Sequence, residues 1–163
     1  MSTIDITKDL ENATLTVTSV FEASPERVWQ LWSDPRQLER WWGPSPYPAT
    51  VVDHDLRPGG RVSYYMTSPE GDKHHGYWRV LDVTPPHRLV LEDGFADEDG
   101  QPDADLPTNT TIVTVEAIDD TGTRMTIEGV YSTSEAFEQV LGMGVTEGIR
   151  IAVSQIDAVL ADG

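Results

Sequence analysis

SEAFEQVLGMGVTEGIRIAVSQIDAVL, residues 134–160, is the stretch that decides the fold. Phe137, Leu141, Val145, Ile149, Ala152, Ile156 and Val159 or Leu160 recur at steps of three or four, which gathers one apolar stripe along an α-helix. Ser134 suits its start, and no other segment is long enough to cross a sheet. Gly142, Gly144 and Gly148 fall inside it, each costing about 1 kcal/mol relative to alanine in a helix interior. Two readings stand open: a kinked or thinned helix that lets a ligand or the sheet come close, or ordinary backbone packing and bending.

Upstream, residues 49–132 read as a meander. Turn formers recur at Pro58-Gly59-Gly60, Pro69-Glu70-Gly71-Asp72, Pro85-Pro86, 97–107 and Asp119-Asp120-Thr121-Gly122. Between them Val62/Tyr64/Met66, Trp78/Val80, Leu89/Leu91, Val113/Val115 and Met125/Ile127/Tyr131 alternate with more polar neighbours, predicting six strands with one buried face. Ahead of these, Leu15, Val17, Ser19 and Phe21 share one face of a strand that starts near Thr14. Ser24-Pro25-Glu26-Arg27 opens a short helix with Val28, Leu31 and Trp32, and Asp34-Pro35 opens another with Leu38, Trp41 and Trp42, stopped by Gly43-Pro44. Residues 1–13 are polar, show no period, and are expected to be an arm before a single domain over 14–161. The predicted fold is α+β: a curved antiparallel sheet of about seven strands, two short helices after the first strand, and a long C-terminal helix packed across the sheet.

Composition narrows the function. A chain of 163 residues with 38% hydrophobic content supports one domain with a core. The absence of cysteine excludes disulfides, thiolate nucleophiles and cysteine-based metal centres. A net charge of −17 opposes binding to nucleic acid and to anionic lipid surfaces. There is no signal-peptide pattern and no membrane-length apolar run, so a cytoplasmic location is expected.

Several short motifs, weak singly, are specific in their order and spacing. They are Ser24-Pro25-Glu26-Arg27-Val28-Trp29, Asp34-Pro35, Trp41-Trp42-Gly43-Pro44, Asp55-Leu56-Arg57-Pro58-Gly59-Gly60, Met143-Gly144 and Glu147-Gly148. Through them the chain resembles, from about Val17 to Leu160, the bacterial relatives of the activator of the heat-shock-protein-90 ATPase, within the START-like (SRPBCC, Bet v-like helix-grip) superfamily. The resemblance implies a hydrophobic cavity beneath the long helix, used in different members for lipids, sterols, hormones or polyketides. Where the eukaryotic activator carries a chaperone-binding domain, this chain has only residues 1–13, so activation of a chaperone ATPase is not expected. Where the family often has a tryptophan or another bulky residue after the helix Glu-Gly, this chain has Ile149.

Trp41, Trp42, Tyr64, Met66, Trp78 and Phe95 are expected to face the space between sheet and helix. Tyr131, Phe137, Met143, Gly144 and Ile149 complete the candidate cavity lining. His74 and His75 are adjacent on a strand and point to opposite faces, so they cannot share one metal, and no other histidine spacing builds a site. Residues 97–105 suggest a calcium loop, but Pro102 stands where glycine is needed and Thr108 where glutamate is needed, leaving an acidic surface loop that acts as a lid. Arg57 and Arg61 are expected to pair with carboxylates. No nucleophile elbow, phosphate loop or dinucleotide fingerprint is present, and no cofactor is expected. The expected function is binding or carrying of an apolar small molecule. The alternatives are a cyclase- or dehydratase-type enzyme using His74, His75 or a tyrosine in the same cavity, and a co-chaperone-like interaction protein. A homodimer through an exposed edge strand is a further expectation.

Overall fold

Alternation of apolar and polar residues between tight turns builds one antiparallel sheet. The computed structural model describes residues 3–162. Eight strands, β1 (Thr3–Asp9), β2 (Thr14–Phe21), β3 (Ala49–His54), β4 (Arg61–Thr67), β5 (Lys73–Thr84), β6 (Arg88–Phe95), β7 (Asn109–Ala117) and β8 (Thr123–Tyr131), lie in the order β1-β2-β8-β7-β6-β5-β4-β3. Register shifts between Val51 and Asp53 and between Val80 and Asp82 are bulges of the kind that bend a strand and curve a sheet. The inner face carries Val17, Phe21, Val62, Trp78, Val80, Leu89, Leu91, Val113, Val115 and Met125, all buried.

Two short helices, α1 (Pro25–Ser33) and α2 (Pro35–Trp42), follow β2. Ser24 caps α1 by accepting from the Arg27 amide at 3.1 Å, and Asp34 caps α2 by accepting from the Arg36 amide at 2.9 Å. The C-terminal helical stretch is divided into α3 (Ser134–Gly142), α4 (Val145–Ser154) and α5 (Ile156–Ala161). The Arg27 guanidinium ties the helices together, donating to the Val159 carbonyl at 2.9 Å and to Gln37 Oε1 at 2.7 Å. Gln155, between α4 and α5, donates to the carbonyls of Trp41 at 3.1 Å and Gly43 at 2.9 Å, and accepts from the Ser45 amide at 3.2 Å. Among the described residues no helix is long and apolar enough to cross a membrane.

Two expectations are corrected. The polar arm contains a strand: Ile4 and Ile6 alternate with Thr3, Asp5 and Thr7, pair with Ser19 and Val17 of β2, and pack against the core. Two apolar residues make a faint period, and the ladder to β2 supplies what the side chains do not. The single long helix is broken at Gly144, whose φ of 88° lies in the left-handed region, and again at Gln155.

The glycines of this stretch therefore have different roles. Gly144→Ala forces a Cβ into the left-handed region and is expected to lower stability by about 1 kcal/mol. Gly148 sits inside α4, and a Cβ there meets nothing nearer than Pro44 Cγ at 3.9 Å. Gly148→Ala is expected to raise stability by about 0.5–1 kcal/mol. Urea denaturation of both variants checks the pair, and shifts of the same sign would refute this assignment.

Candidate functional site

Between the inner face of the sheet and the C-terminal helices lies a cavity of about 270 Å³. Tyr64 and Met66 of β4, Phe95 of β6, and Ile127 and Tyr131 of β8 form the sheet side. Val140 of α3, Val145, Gly148, Ile149 and Ala152 of α4, and Trp42 and Pro44 at the end of α2 form the helical side. Gly76 on β5 shapes this wall by its lack of a side chain. A Cβ there would stand 2.5 Å from Cζ and Oη of Tyr64, so the Tyr64 ring lies flat across β5. Beneath it the indoles interlock: Trp42 meets Trp78 at 5.0 Å and 88°, and Tyr64 at 6.0 Å and 86°.

Of the expected lining residues, Trp42, Tyr64, Met66, Phe95, Tyr131 and Ile149 come together at the cavity. Trp41, Trp78 and Phe137 do not line it, because they are buried in the packed core around it. The Trp41 indole donates to the Leu31 carbonyl at 3.0 Å, and Phe137 stacks on Tyr131 at 5.3 Å. Met143 and Gly144 are also outside the lining. The left-handed turn at Gly144 ends α3 and leaves the Met143 side chain 53% exposed.

Asp93 also lines the cavity, outside the expected set of residues. It follows Leu89 and Leu91 at steps of two on β6, so the alternation that buries those leucines also turns Asp93 inward. It stands in register with Trp78 on β5 and Asn109 on β7. Its carboxyl lines the cavity and has no hydrogen bond or ion pair with protein among the described residues. Burial alone pushes its pKa up to about 7. Burial, and then the Asp93 charge, raise the phenols of Tyr64 and Tyr131 well above their ordinary range. The Trp42 and Trp78 N–H groups moderate that rise, yet neither makes a hydrogen bond within the protein.

The remaining polar groups lie toward the surface. His74 is exposed beside the cavity with its ring 6.1 Å from Tyr47, and His75, half-buried, lies 5.5 Å from Tyr65. Their pairing with Met66 and Tyr65 puts them on opposite faces of the sheet. Arg57 pairs with Asp55 at 2.8 Å, but Arg61 meets no carboxylate among the described residues: its guanidinium donates to the Gly100 carbonyl in the acidic loop. That loop folds on itself, with Asp97 Oδ1 accepting from the amides of Asp99 at 3.0 Å and Gln101 at 2.9 Å, and Pro107 near its end reaches the cavity.

A curved antiparallel sheet holding a cavity against C-terminal helices defines a helix-grip, START-like protein, a scaffold of general ligand-binding type. The sequence profile of the Activator of Hsp90 ATPase homolog 1-like protein family matches residues 22–161, and the chain belongs to that family. Protein Ms6760 from Mycobacterium smegmatis is 53% identical, with a TM-score of 0.89 over 97% of each chain. A protein from Arthrobacter aurescens is 42% identical, with a TM-score of 0.92 over 98% of this chain and 92% of its own. A Staphylococcus epidermidis protein shares the fold at 24% identity, with a TM-score of 0.82 over 98% of this chain and 94% of its own. A search of curated proteins finds no match.

Proposed function

We propose that the chain binds a small molecule with a substantial apolar body in the cavity between sheet and helices. The observation that carries this reading is a cavity of about 270 Å³ lined mainly by aromatic and aliphatic side chains. Ligand sites are concave and mostly apolar with a few polar groups, and this lining has that form. Gly148 leaves room on the helical side, and Gly148→Leu would place an isobutyl group there.

The neutral fluorophore N-phenyl-1-naphthylamine tests the reading. The parent chain is expected to bind it with enhanced emission, and Gly148→Leu to bind it at least about tenfold more weakly while melting no lower. Absence of binding to the parent, or equal binding to both proteins, overturns the reading. Native mass spectrometry of chain purified from cells, compared before and after unfolding, would reveal any molecule already carried.

Catalytic use of the same cavity is the second reading, favoured by one observation: Asp93 holds a carboxyl that titrates near neutrality inside an apolar site. With His74 exposed and His75 beside Tyr65 on the other face, proton transfer in such a reaction falls to Asp93.

A further inference from the structure

The cavity holds one carboxylate, Asp93, half-buried in its wall and without a hydrogen-bond or ion-pair partner among the described residues. Asp93 is the one carboxylate among the lining residues described, and no lysine or arginine lines the space with it. A buried carboxylate left unpaired is costly, and a bound cation removes most of that cost. Trp42, Tyr64 and Tyr131 line the same cavity, the two tyrosines close enough to feel the Asp93 charge, and the π-electrons of such rings attract a cation placed within about 6 Å. The indole N–H groups of Trp42 and Trp78 offer no competing site for an anion or a carbonyl, since both nitrogens are covered by protein. The protein as a whole, at −17, draws cations toward its surface and repels anions.

We propose that the cavity selects ligands in which a protonated amine is attached to an apolar body, with Asp93 pairing with the ammonium group and the rings of Trp42, Tyr64 and Tyr131 surrounding it. The proposal rests on the reading of the cavity as a small-molecule site and adds the chemistry of the ligand's head. A fatty acid or any other carboxylate would set a second negative charge against Asp93. A neutral alcohol would gain a hydrogen bond but no charge pairing.

Proton linkage gives the proposal a pH signature. Pairing requires ionised Asp93, so below neutrality binding of the amine must expel a proton and its affinity falls as the pH drops from 7.5 to 5.5. The groups that face Asp93 are Tyr64 from β4, Trp78 from β5, Asn109 from β7 and Tyr131 from β8, none of which changes charge in that interval. His74, exposed at the rim, and His75, on the opposite face of the strand, are the other titratable side chains near the space. Asp93→Asn is expected to lose the pH dependence that ionisation of Asp93 supplies.

The test compares three compounds with one body and different heads, 4-phenylbutylamine, 4-phenylbutanol and 4-phenylbutyrate, by titration calorimetry at pH 7.5. The amine is expected to bind at least about tenfold tighter than the alcohol, and the carboxylate most weakly. In Asp93→Asn the amine is expected to fall to the level of the alcohol, while the alcohol stays within about twofold. An alcohol or carboxylate as tight as the amine in the parent chain overturns the proposal without recourse to a variant. So does an amine preference that survives Asp93→Asn in a protein that still binds N-phenyl-1-naphthylamine. If the fluorophore binds the parent and none of the three compounds does, the head-group inference fails alone. If the fluorophore fails as well, the cavity reading fails with it.

Discussion

At pH 8, Asp93→Asn is expected to be more stable than the parent chain by about 3–4 kcal/mol, and the difference should nearly vanish at pH 4. The folded carboxyl holds its proton up to about pH 7, whereas the unfolded one releases it near the ordinary aspartate value of 3.8. Between those values the unfolded state binds fewer protons, so the parent loses stability as the pH rises and keeps the full deficit above pH 7. About three pKa units at 1.36 kcal/mol each set the size. Glu92 on the same strand slopes the other way, because its hydrogen bond from Arg79 holds its carboxyl low, so the difference between the two proteins is the quantity to read. Equal urea midpoints at pH 8 would show that the Asp93 charge is solvated, and would remove the electrostatic basis for cation selection. A group that destabilises its own fold at working pH is characteristic of a binding or catalytic site.

Trp78→Ala is expected to cost about 3–5 kcal/mol, a large part of the stability of a domain this size. Trp78 is wholly buried, with Trp32 at 5.7 Å, Trp42 at 5.0 Å and Tyr64 at 6.1 Å, so truncation leaves three rings facing a void. Loss of the cooperative near-ultraviolet circular-dichroism transition would accompany the fall in midpoint. A cost under about 1 kcal/mol would mean that the cluster collapses onto the gap.

The sheet was legible in the sequence because Leu15, Val17 and Phe21, and the alternating pairs through Met125/Ile127, obey a period of two between unmistakable turns. The caps at Ser24 and Asp34 were equally plain, since proline follows each at a position that fits no other role. Strand β1 escaped because backbone pairing, which side-chain pattern does not report, carries it. The distinction between Trp42, which reaches the cavity, and Trp41, which does not, was also hidden: neighbours on α2 point about 100° apart, and only packing against Leu31 shows which way is inward. Met143 misled because helical spacing was extended through a glycine that ends the helix. Asp93 was readable in principle, since it continues the Leu89/Leu91 alternation, but a charged residue at an inward position runs against the rule that makes the pattern visible.

The strand order also sets how the chain must assemble. Every adjacency in β1-β2-β8-β7-β6-β5-β4-β3 joins consecutive strands except that of β2 with β8, where Val17 meets Ile127. Hairpins zip locally and quickly, whereas this one seam closes a loop on the order of 100 residues, at an entropic cost of about 4 kcal/mol. Closing this seam is therefore expected to be the slow step of folding. Residues along that seam, Val17 and Ile127 foremost, control how fast the sheet is reached rather than only how firmly it is held.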